Sequence, residues 1–220
     1  MRRTMLLQPH QRTKLDETQD DLFYDYPRFV THVDDNFIKQ LTQVYRDRIP
    51  ANARVLDLMS SWVSHLPDEV TYSHVEGHGL NAVELAKNPR LDHFFVQNLN
   101  ENPKLTFEDQ SFDAVLMAVS VQYLQYPEAV LSEVQRVLMG GGVAIVSFSN
   151  RMFYQKAIQA WRDSGDQEHL QMVRSYFEAV AGFKKPEVIV NQPEENRILA
   201  MFNIAVSDPF FAVVAQREED

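Results

Sequence analysis

The sequence contains no cysteine. Disulfides, thiolate catalysis and cysteine-ligated zinc or iron–sulfur centres are therefore excluded, and the protein fits a reducing compartment. An excess of positive charge is missing too: 21 lysines and arginines face 31 aspartates and glutamates, for a formal net charge of −10. Because nucleic-acid affinity rests mainly on cations that neutralise phosphates, we do not expect a nucleic-acid partner.

Long hydrophobic runs are also absent. No apolar stretch approaches the about 20 residues that a membrane-spanning helix needs. Met1-Arg2-Arg3 precedes only a short apolar stretch, Met5 to Leu7, which does not make a signal peptide. We therefore expect a cytoplasmic or stromal protein. A chain of 220 residues, 45% of them hydrophobic, predicts one large soluble domain.

Short apolar strands alternate with amphipathic helices along most of the chain. Strands are predicted at 53–58, 71–76, 93–97, 111–120 and 143–149, followed by a closing antiparallel pair near 186–190 and 210–216. Helices are predicted at 80–87, 127–139, 151–162 and 167–181, and from a cap at Asp34 or Asp35 to Ile49-Pro50. This alternation predicts an α/β fold: a doubly wound, mostly parallel seven-stranded sheet with helices on both faces.

The N-terminal region differs from the rest in having no clear period. Its segment DDLFYDYPRFVTHVDD, residues 20–35, places aromatic residues between acids. Such aromatic residues cover a pocket or dock on a partner, or else belong to an arm laid over the core. We predict that residues 1–50 form an N-terminal arm and helix covering the active-site side, and that residues 51–220 form the α/β domain.

The turn after the first predicted strand lacks glycine. LDLMSSWVSHLP, residues 56–67, begins like the first strand of a nucleotide-binding domain, yet Met59 to Trp62 stand where a glycine-rich turn is expected. Glycine permits positive φ angles and close approach of a ligand, which these side chains allow less freely. The missing G-x-G-x-x-G also counts against a nicotinamide-dependent oxidoreductase.

Three stretches and the intervals between them resemble the class I S-adenosylmethionine-dependent methyltransferases, over about residues 50 to 150. They are RVLDL (54–58), FEDQSFDAVLMAVSVQYL (107–124) and EVQRVLMGGGVAIVSFSN (133–150). The chain is most similar to the small-molecule group that includes the quinone-biosynthesis enzymes. The resemblance implies a Rossmann-like methyltransferase fold, S-adenosylmethionine as cofactor, and methyl transfer to a small-molecule or lipid-like acceptor.

The resemblance also implies roles for the first acid and the turn that follows it. In the family these receive the amino and carboxylate end of the cofactor. The acid is Asp57, which agrees with the family, and the turn departs from it with Met59, Ser60, Ser61 and Trp62. We expect the hydroxyls of Ser60 and Ser61 to bind the carboxylate at the start of a helix, whose N-terminus favours negative charge. Trp62 or His65 would pack on the cofactor.

Two further family positions depart from the pattern. The acid that takes the ribose hydroxyls falls on Gly79, and the acid that binds the adenine amino group falls on Asn98, whose amide oxygen can still accept a hydrogen bond. Glu76, Asn81 or backbone groups around Gly77 and Gly79 are candidates to replace the ribose acid. Gly77-His78-Gly79 is interpreted either as a loop that approaches a ligand closely or as a plain turn leaving the strand.

Other candidates follow from their position after the strands, because ligands of open parallel sheets bind beyond the carboxyl ends of the strands. The cofactor site is completed by Gly77, His78, Leu80, Leu99 and Val119. Substrate contacts are predicted for Tyr26, Arg28, Gln122, Asn150 and Arg151. Catalytic contacts are predicted for His32, Tyr24 and Tyr123. Methyl transfer mainly needs alignment, so a base is optional; His32 is the candidate base, or else a structural histidine.

Two remaining motifs suggest no chemistry of their own. His74, His78 and His93 include no i, i+4 pair on a predicted helix, so no metal is predicted. Gly140-Gly141-Gly142 is interpreted as a helix-ending turn, because a strand follows it.

The departures from the family leave two functions open. One is an active methyltransferase, and the other is a catalytically silent protein of that fold that acts as a binding or assembly module with a protein partner.

Overall fold

One seven-stranded sheet forms the centre of the computed structural model, which describes residues 6–192 and 207–219. The strands are β1 (Arg54–Leu58), β2 (His74–Gly79), β3 (His93–Val96), β4 (Phe112–Ala118), β5 (Leu138–Phe148), β6 (Glu187–Asn191) and β7 (Phe210–Gln216). The helices are α1 (Asp20–Tyr24), α2 (Asp35–Arg48), α3 (Ala82–Leu85), α4 (Pro127–Val137), α5 (Gln159–Arg162) and α6 (Asp166–Glu178).

The strand order is β3-β2-β1-β4-β5-β7-β6. The first five strands pair in parallel, whereas β7 runs antiparallel to both β5 and β6. The prediction of a mostly parallel α/β sheet is thus confirmed in its parallel part, and the complete sheet is mixed. The order reverses between β1 and β4, so the crevice at their carboxyl ends is the topological switch point of the sheet.

Helix α2 covers one face of the sheet. Its beginning is set by Asp34, whose Oδ1 accepts a hydrogen bond from the backbone amide of Phe37 at 2.8 Å, as the sequence predicts. Phe37, Leu41 and Tyr45 then recur at every fourth position and are fully buried. They pack with side chains of β1, β4, β5 and β7 into one half of the core.

Helices α4, α5 and α6 contribute to the core on the opposite face. Pro127 occupies the first turn of α4, where its missing N–H costs nothing. Side chains of these helices pack with residues of β1, β4, β5 and β7; the helix residues are Val130, Leu131, Val134, Val137, Ala160, Trp161, Leu170, Val173, Tyr176 and Phe177. The two layers hold the sheet rigidly and leave its carboxyl edge to the loops.

Strand β2 lies three residues later than predicted. Gly77, His78 and Gly79 are strand residues in parallel register with β3, so both interpretations as a loop or turn were wrong. Close packing requires glycine at position 79, where a Cβ would lie 2.6 Å from the carbonyl oxygen of Ser60. A Cβ on Gly77 would lie 2.3 Å from Cδ1 of Leu91, the movable end of a side chain.

The helix expected after β1 is missing. Residues 59–73 contain no helix, so the predicted helix start at Ser60 and Ser61 was wrong. The reason lies in the backbone: the amides of Met59 and Ser60 bond to His78 of the adjacent strand instead of opening a helical turn. Helix 151–162 is likewise reduced to its last turn, α5.

The triple glycine also differs from its prediction. Residues 140–142 lie inside β5 rather than in a turn before it. Gly141 has a φ of 79°, which favours glycine. A Cβ on Gly142 would lie 2.9 Å from the carbonyl oxygen of Met139, so glycine allows the strand to bend where its register with β4 shifts.

Candidate functional site

A cavity of about 660 Å³ opens at the carboxyl ends of β1, β2, β3, β4 and β5. The N-terminal arm, residues 6–33, forms another part of its wall. Most of the predicted site residues line it: Tyr24, Arg28, His32, Asp57, Met59, Ser60, Ser61, Trp62, His78, Gly79, Leu80, Asn98, Leu99, Val119, Tyr123, Asn150 and Arg151. The fold therefore brings residues from six separate segments to one place.

Three predicted site residues lie outside this wall. Gly77 packs against Leu91 within the sheet, and Tyr26 is 77% exposed on the arm. Gln122 is buried in a short 3₁₀ turn, where its Nε2 donates to the carbonyl oxygen of Val119 at 2.9 Å. The positions of these three residues give no support to contacts with a bound ligand.

Asp57 lies next to the end of β1, on the cavity wall. Its side chain is almost fully buried, and Oδ2 accepts a hydrogen bond from Oγ of Ser60 at 2.6 Å. Burial raises the pKa of Asp57 to about 6, although hydrogen bonds from Ser60 and Ser64 oppose the shift. No cation of the described residues forms an ion pair with it. Such a carboxylate suits a positively charged ligand, because a buried charge without a partner is costly.

His78 holds the turn after β1 against the sheet. Nδ1 accepts from the amide of Met59 at 3.0 Å, and the His78 carbonyl oxygen accepts from the amide of Ser60 at 2.7 Å. Nε2 lies 2.8 Å from the Gln97 carbonyl oxygen and so carries the proton. Burial lowers the pKa of His78 to about 4, so the ring is neutral at pH 7. This bridge allows Met59 to adopt a φ of 54° without being glycine.

Glu84 is a cavity residue that the sequence analysis missed. It lies on α3, is only 8% exposed, and accepts two hydrogen bonds. Oε2 accepts from Oγ of Ser61 at 2.7 Å, and Oε1 accepts from the backbone amide of Arg28 at 2.6 Å. A glutamate in a short helix carries no sequence signal that separates this role from an ordinary solvent-facing position.

The candidate replacements for the ribose acid are engaged elsewhere. Glu76 faces away from the cavity and bonds to His74 at 2.9 Å and to His93 at 2.6 Å. Asn81 caps α3, with Oδ1 accepting from the amide of Val83, and its Nδ2 donates to the carbonyl oxygen of Tyr24 at 2.7 Å. Asn98 keeps its predicted place after β3, and its Oδ1 accepts from the amide of Asn100 at 3.1 Å.

The arm crosses the loops that follow β1 and β2. Nε1 of Trp62 donates to the carbonyl oxygen of Val30 at 3.2 Å, and the Trp62 ring meets Phe29 edge-on. A buried ammonium group holds the start of the arm: Nζ of the fully buried Lys156 donates to the carbonyl oxygen of Thr18 at 2.7 Å. These contacts close one side of the cavity.

Aromatic rings surround Phe153 where the arm meets the loop after β5. Their centroids lie 5.1 Å from Phe153 for His32, 5.3 Å for Phe23, 6.0 Å for Tyr123 and 6.3 Å for Tyr24. Burial raises the pKa of Tyr123 to about 12, and its hydroxyl accepts from the amide of Phe153. Burial lowers the pKa of His32, which leaves that ring neutral and able to accept a proton.

The part of the chain that forms β1 to β5 resembles a known family. Residues 55–146 match the family model described as a methyltransferase domain. The chain carries a class I methyltransferase domain. The predicted family, its Rossmann-like fold and S-adenosylmethionine as the cofactor of that family are thereby confirmed. Membership of the quinone-biosynthesis group stays a prediction. No curated protein matches the chain.

Solved structures with the same fold are distant in sequence. A methyltransferase from Archaeoglobus fulgidus is 14% identical, with 83% of this chain and 94% of that chain covered and a TM-score of 0.58. For a complex between the Haloferax volcanii Trm112 methyltransferase activator and a putative methyltransferase, the identity is 15% and the TM-score is 0.57. The match covers 84% of this chain and 92% of that chain. For the [4+2]-cyclase SpnF, the identity is 16%, the match covers 82% of this chain and 81% of that chain, and the TM-score is 0.55. The methyltransferase domain therefore shares its fold with a cyclase as well.

The described helices include none that is both long and apolar enough to cross a membrane. Within the same residues, no group of three or more histidine, cysteine, aspartate or glutamate side chains could hold a metal ion.

Proposed function

We propose that the protein transfers a methyl group from S-adenosylmethionine to a small-molecule or lipid-like acceptor in the cavity. One observation carries the proposal: the buried carboxylate of Asp57 faces the cavity at the switch point of a methyltransferase domain and has no cation partner among the described residues. The cofactor supplies an activated methyl group on a positively charged sulfonium and also carries an ammonium group. Asp57 would hold the ammonium end.

The other cavity residues then divide between binding and alignment. We assign Leu80, Asn98 and Leu99, after β2 and β3, to the nucleoside side of the cofactor. The arm excludes water from the side opposite the sheet, which favours in-line displacement. His32 is neutral and borders the aromatic residues around Phe153, so it is placed to accept a proton from an acceptor hydroxyl or amine.

A specific observation supports the second function, a catalytically silent binding or assembly module. Two turn amides bond to His78, and the ribose position is a glycine that Ser60 prevents from carrying a side chain. These features remove family contacts to the cofactor. The Haloferax volcanii protein is found with an activator, and a protein partner is the corresponding prediction for a silent module.

Calorimetric titration with S-adenosylmethionine and S-adenosylhomocysteine separates the two functions. We expect saturable binding, and ligand at 100 times its dissociation constant should raise the free energy of unfolding by about 2.7 kcal/mol. Asp57→Asn should weaken binding about 10-fold or more, because a charge-assisted hydrogen bond is lost. Asp47→Asn, on the exposed surface of α2, is the matched control and should bind like the wild type.

Stability measurements separate lost binding from unfolding. Asp57→Asn removes a buried charge, so the ligand-free variant should unfold no more easily than the wild type at pH 7. If millimolar S-adenosylmethionine produces neither a heat of binding nor a thermal shift, the enzyme proposal is contradicted and the silent module is favoured. Equal affinity of wild type and Asp57→Asn would refute the role given to Asp57.

A further inference from the structure

The turn after β1 offers a carboxylate fewer donors than the turn of the family. The resemblance assigns the cofactor's methionine carboxylate to this turn, where backbone amides and a helix N-terminus would receive it. Here residues 59–73 contain no helix. The amides of Met59 and Ser60 already donate to His78, and the hydroxyl of Ser61 donates to Glu84. A positive charge from another segment would therefore strengthen the binding of a carboxylate at this turn.

Two guanidinium groups line the cavity, and their surroundings differ. Nε of Arg151 lies 2.6 Å from Oδ1 of the buried Asp208, so its charge is already paired. Arg28 forms no ion pair with any described residue. Its Nη2 donates to the carbonyl oxygen of Phe23 at 2.9 Å, and Nη1 lies 3.5 Å from that of Tyr26. Most N–H groups of this guanidinium thus have no acceptor among the described residues.

Aromatic rings restrict the orientation of Arg28. Its Cζ lies 4.7 Å from the ring centroid of Phe23 and 5.5 Å from that of Phe153. Such contacts hold a guanidinium without neutralising its charge. A positioned arginine loses less side-chain entropy when it binds a carboxylate, and its planar fork matches the two oxygens.

Glu84 connects Arg28 to the turn. One oxygen of this carboxylate accepts the backbone amide of Arg28 at 2.6 Å, and the other accepts Oγ of Ser61 at 2.7 Å. The Glu84 carboxylate therefore bridges the arm at Arg28 and the turn that the family uses. We propose that Arg28 binds the methionine carboxylate of the cofactor in place of the turn amides and the missing helix. This inference rests on the proposed function.

Two nucleosides test the proposal by binding alone. S-adenosylhomocysteine carries the amino and carboxylate groups, whereas 5′-methylthioadenosine lacks both. We expect Arg28→Gln to weaken S-adenosylhomocysteine by about 10- to 100-fold in calorimetry, as for a lost charge-assisted hydrogen bond, and to leave 5′-methylthioadenosine within twofold of wild type. Arg28→Lys should retain part of the affinity. Arg46→Gln removes the same charge from exposed α2 and should change neither ligand.

Each contrary outcome is distinct. Equal affinity of wild type and Arg28→Gln for S-adenosylhomocysteine would overturn the proposal and assign Arg28 to an anionic acceptor instead. An equal loss for both nucleosides would also overturn it, because Arg28 would then act by holding the arm. If the wild type binds neither nucleoside, the proposed function itself fails, and the inference fails with it.

Discussion

The two halves of the parallel sheet differ in how closely they follow the methyltransferase pattern. The β4-to-β5 half, with α4 between the strands, has the strand–helix–strand order that its sequence predicts, although β5 begins earlier and includes the three glycines. In the β1-to-β2 half, the first turn lacks its glycines and its helix, and β2 is displaced along the chain. The contrast teaches that the packing elements keep the family's arrangement while the loops at the cavity depart from it. His78, Glu84 and the arm supply the contacts that hold these loops in the β1-to-β2 half.

The largest effect expected from this contrast is at Gly79. Restoring a side chain there should not restore the family's site, because a Cβ would lie 2.6 Å from the Ser60 carbonyl oxygen. We expect Gly79→Ala to lower the free energy of unfolding by about 3 kcal/mol in urea denaturation. Gly165→Ala, which would meet only the end of the Glu168 side chain, is the control and should cost less than half as much. Comparable losses would show that the β1-to-β2 turn is not tightly packed.

The pH dependence of stability tests His78 as the bridge of the same half. Its pKa is about 4 in the folded protein against 6.5 for the free side chain, so the folded state favours the neutral ring. The contribution of His78 is therefore complete above pH 6.5 and falls as the pH drops toward 4, by about 3 kcal/mol in total. Denaturation of wild type and His78→Gln between pH 7.5 and 4 should show a difference that shrinks over this range. A constant difference would contradict the assignment.

The smallest expected effect concerns the contact between the turn and the arm. Trp62→Phe removes the hydrogen bond to the Val30 carbonyl oxygen but keeps an aromatic ring. We expect about 1 kcal/mol of local stability to be lost, seen as faster amide hydrogen exchange in residues 24–32 with β4 and β5 unaffected. Tyr154→Phe, at the cavity wall, is the control. Unchanged exchange in the arm would mean that Trp62 does not hold it.

Much of the site was predictable because strand ends are visible in sequence. Asp57 and His78 lie near the ends of β1 and β2, and Leu99 and Val119 follow β3 and β4. The fold brings the ends of these parallel strands to one edge. The role of Glu84 was not predictable, since its partners lie 23 and 56 positions away along the chain. Gln122 was misplaced for a related reason: position after a strand does not indicate which way a side chain points.

By itself, the sequence determined the α/β class, a helix cap at Asp34 or Asp35, the buried faces of α2 and α4, and the placement of Asp57 near the end of a strand. These features depend on local periodicity and capping, which neighbouring residues encode. The tertiary structure alone decided the extent of β2, the loss of the helix after β1, and the meeting of Arg28 with Glu84 and the turn. Those outcomes depend on hydrogen-bond competition and close packing between segments distant in sequence, which no local pattern records.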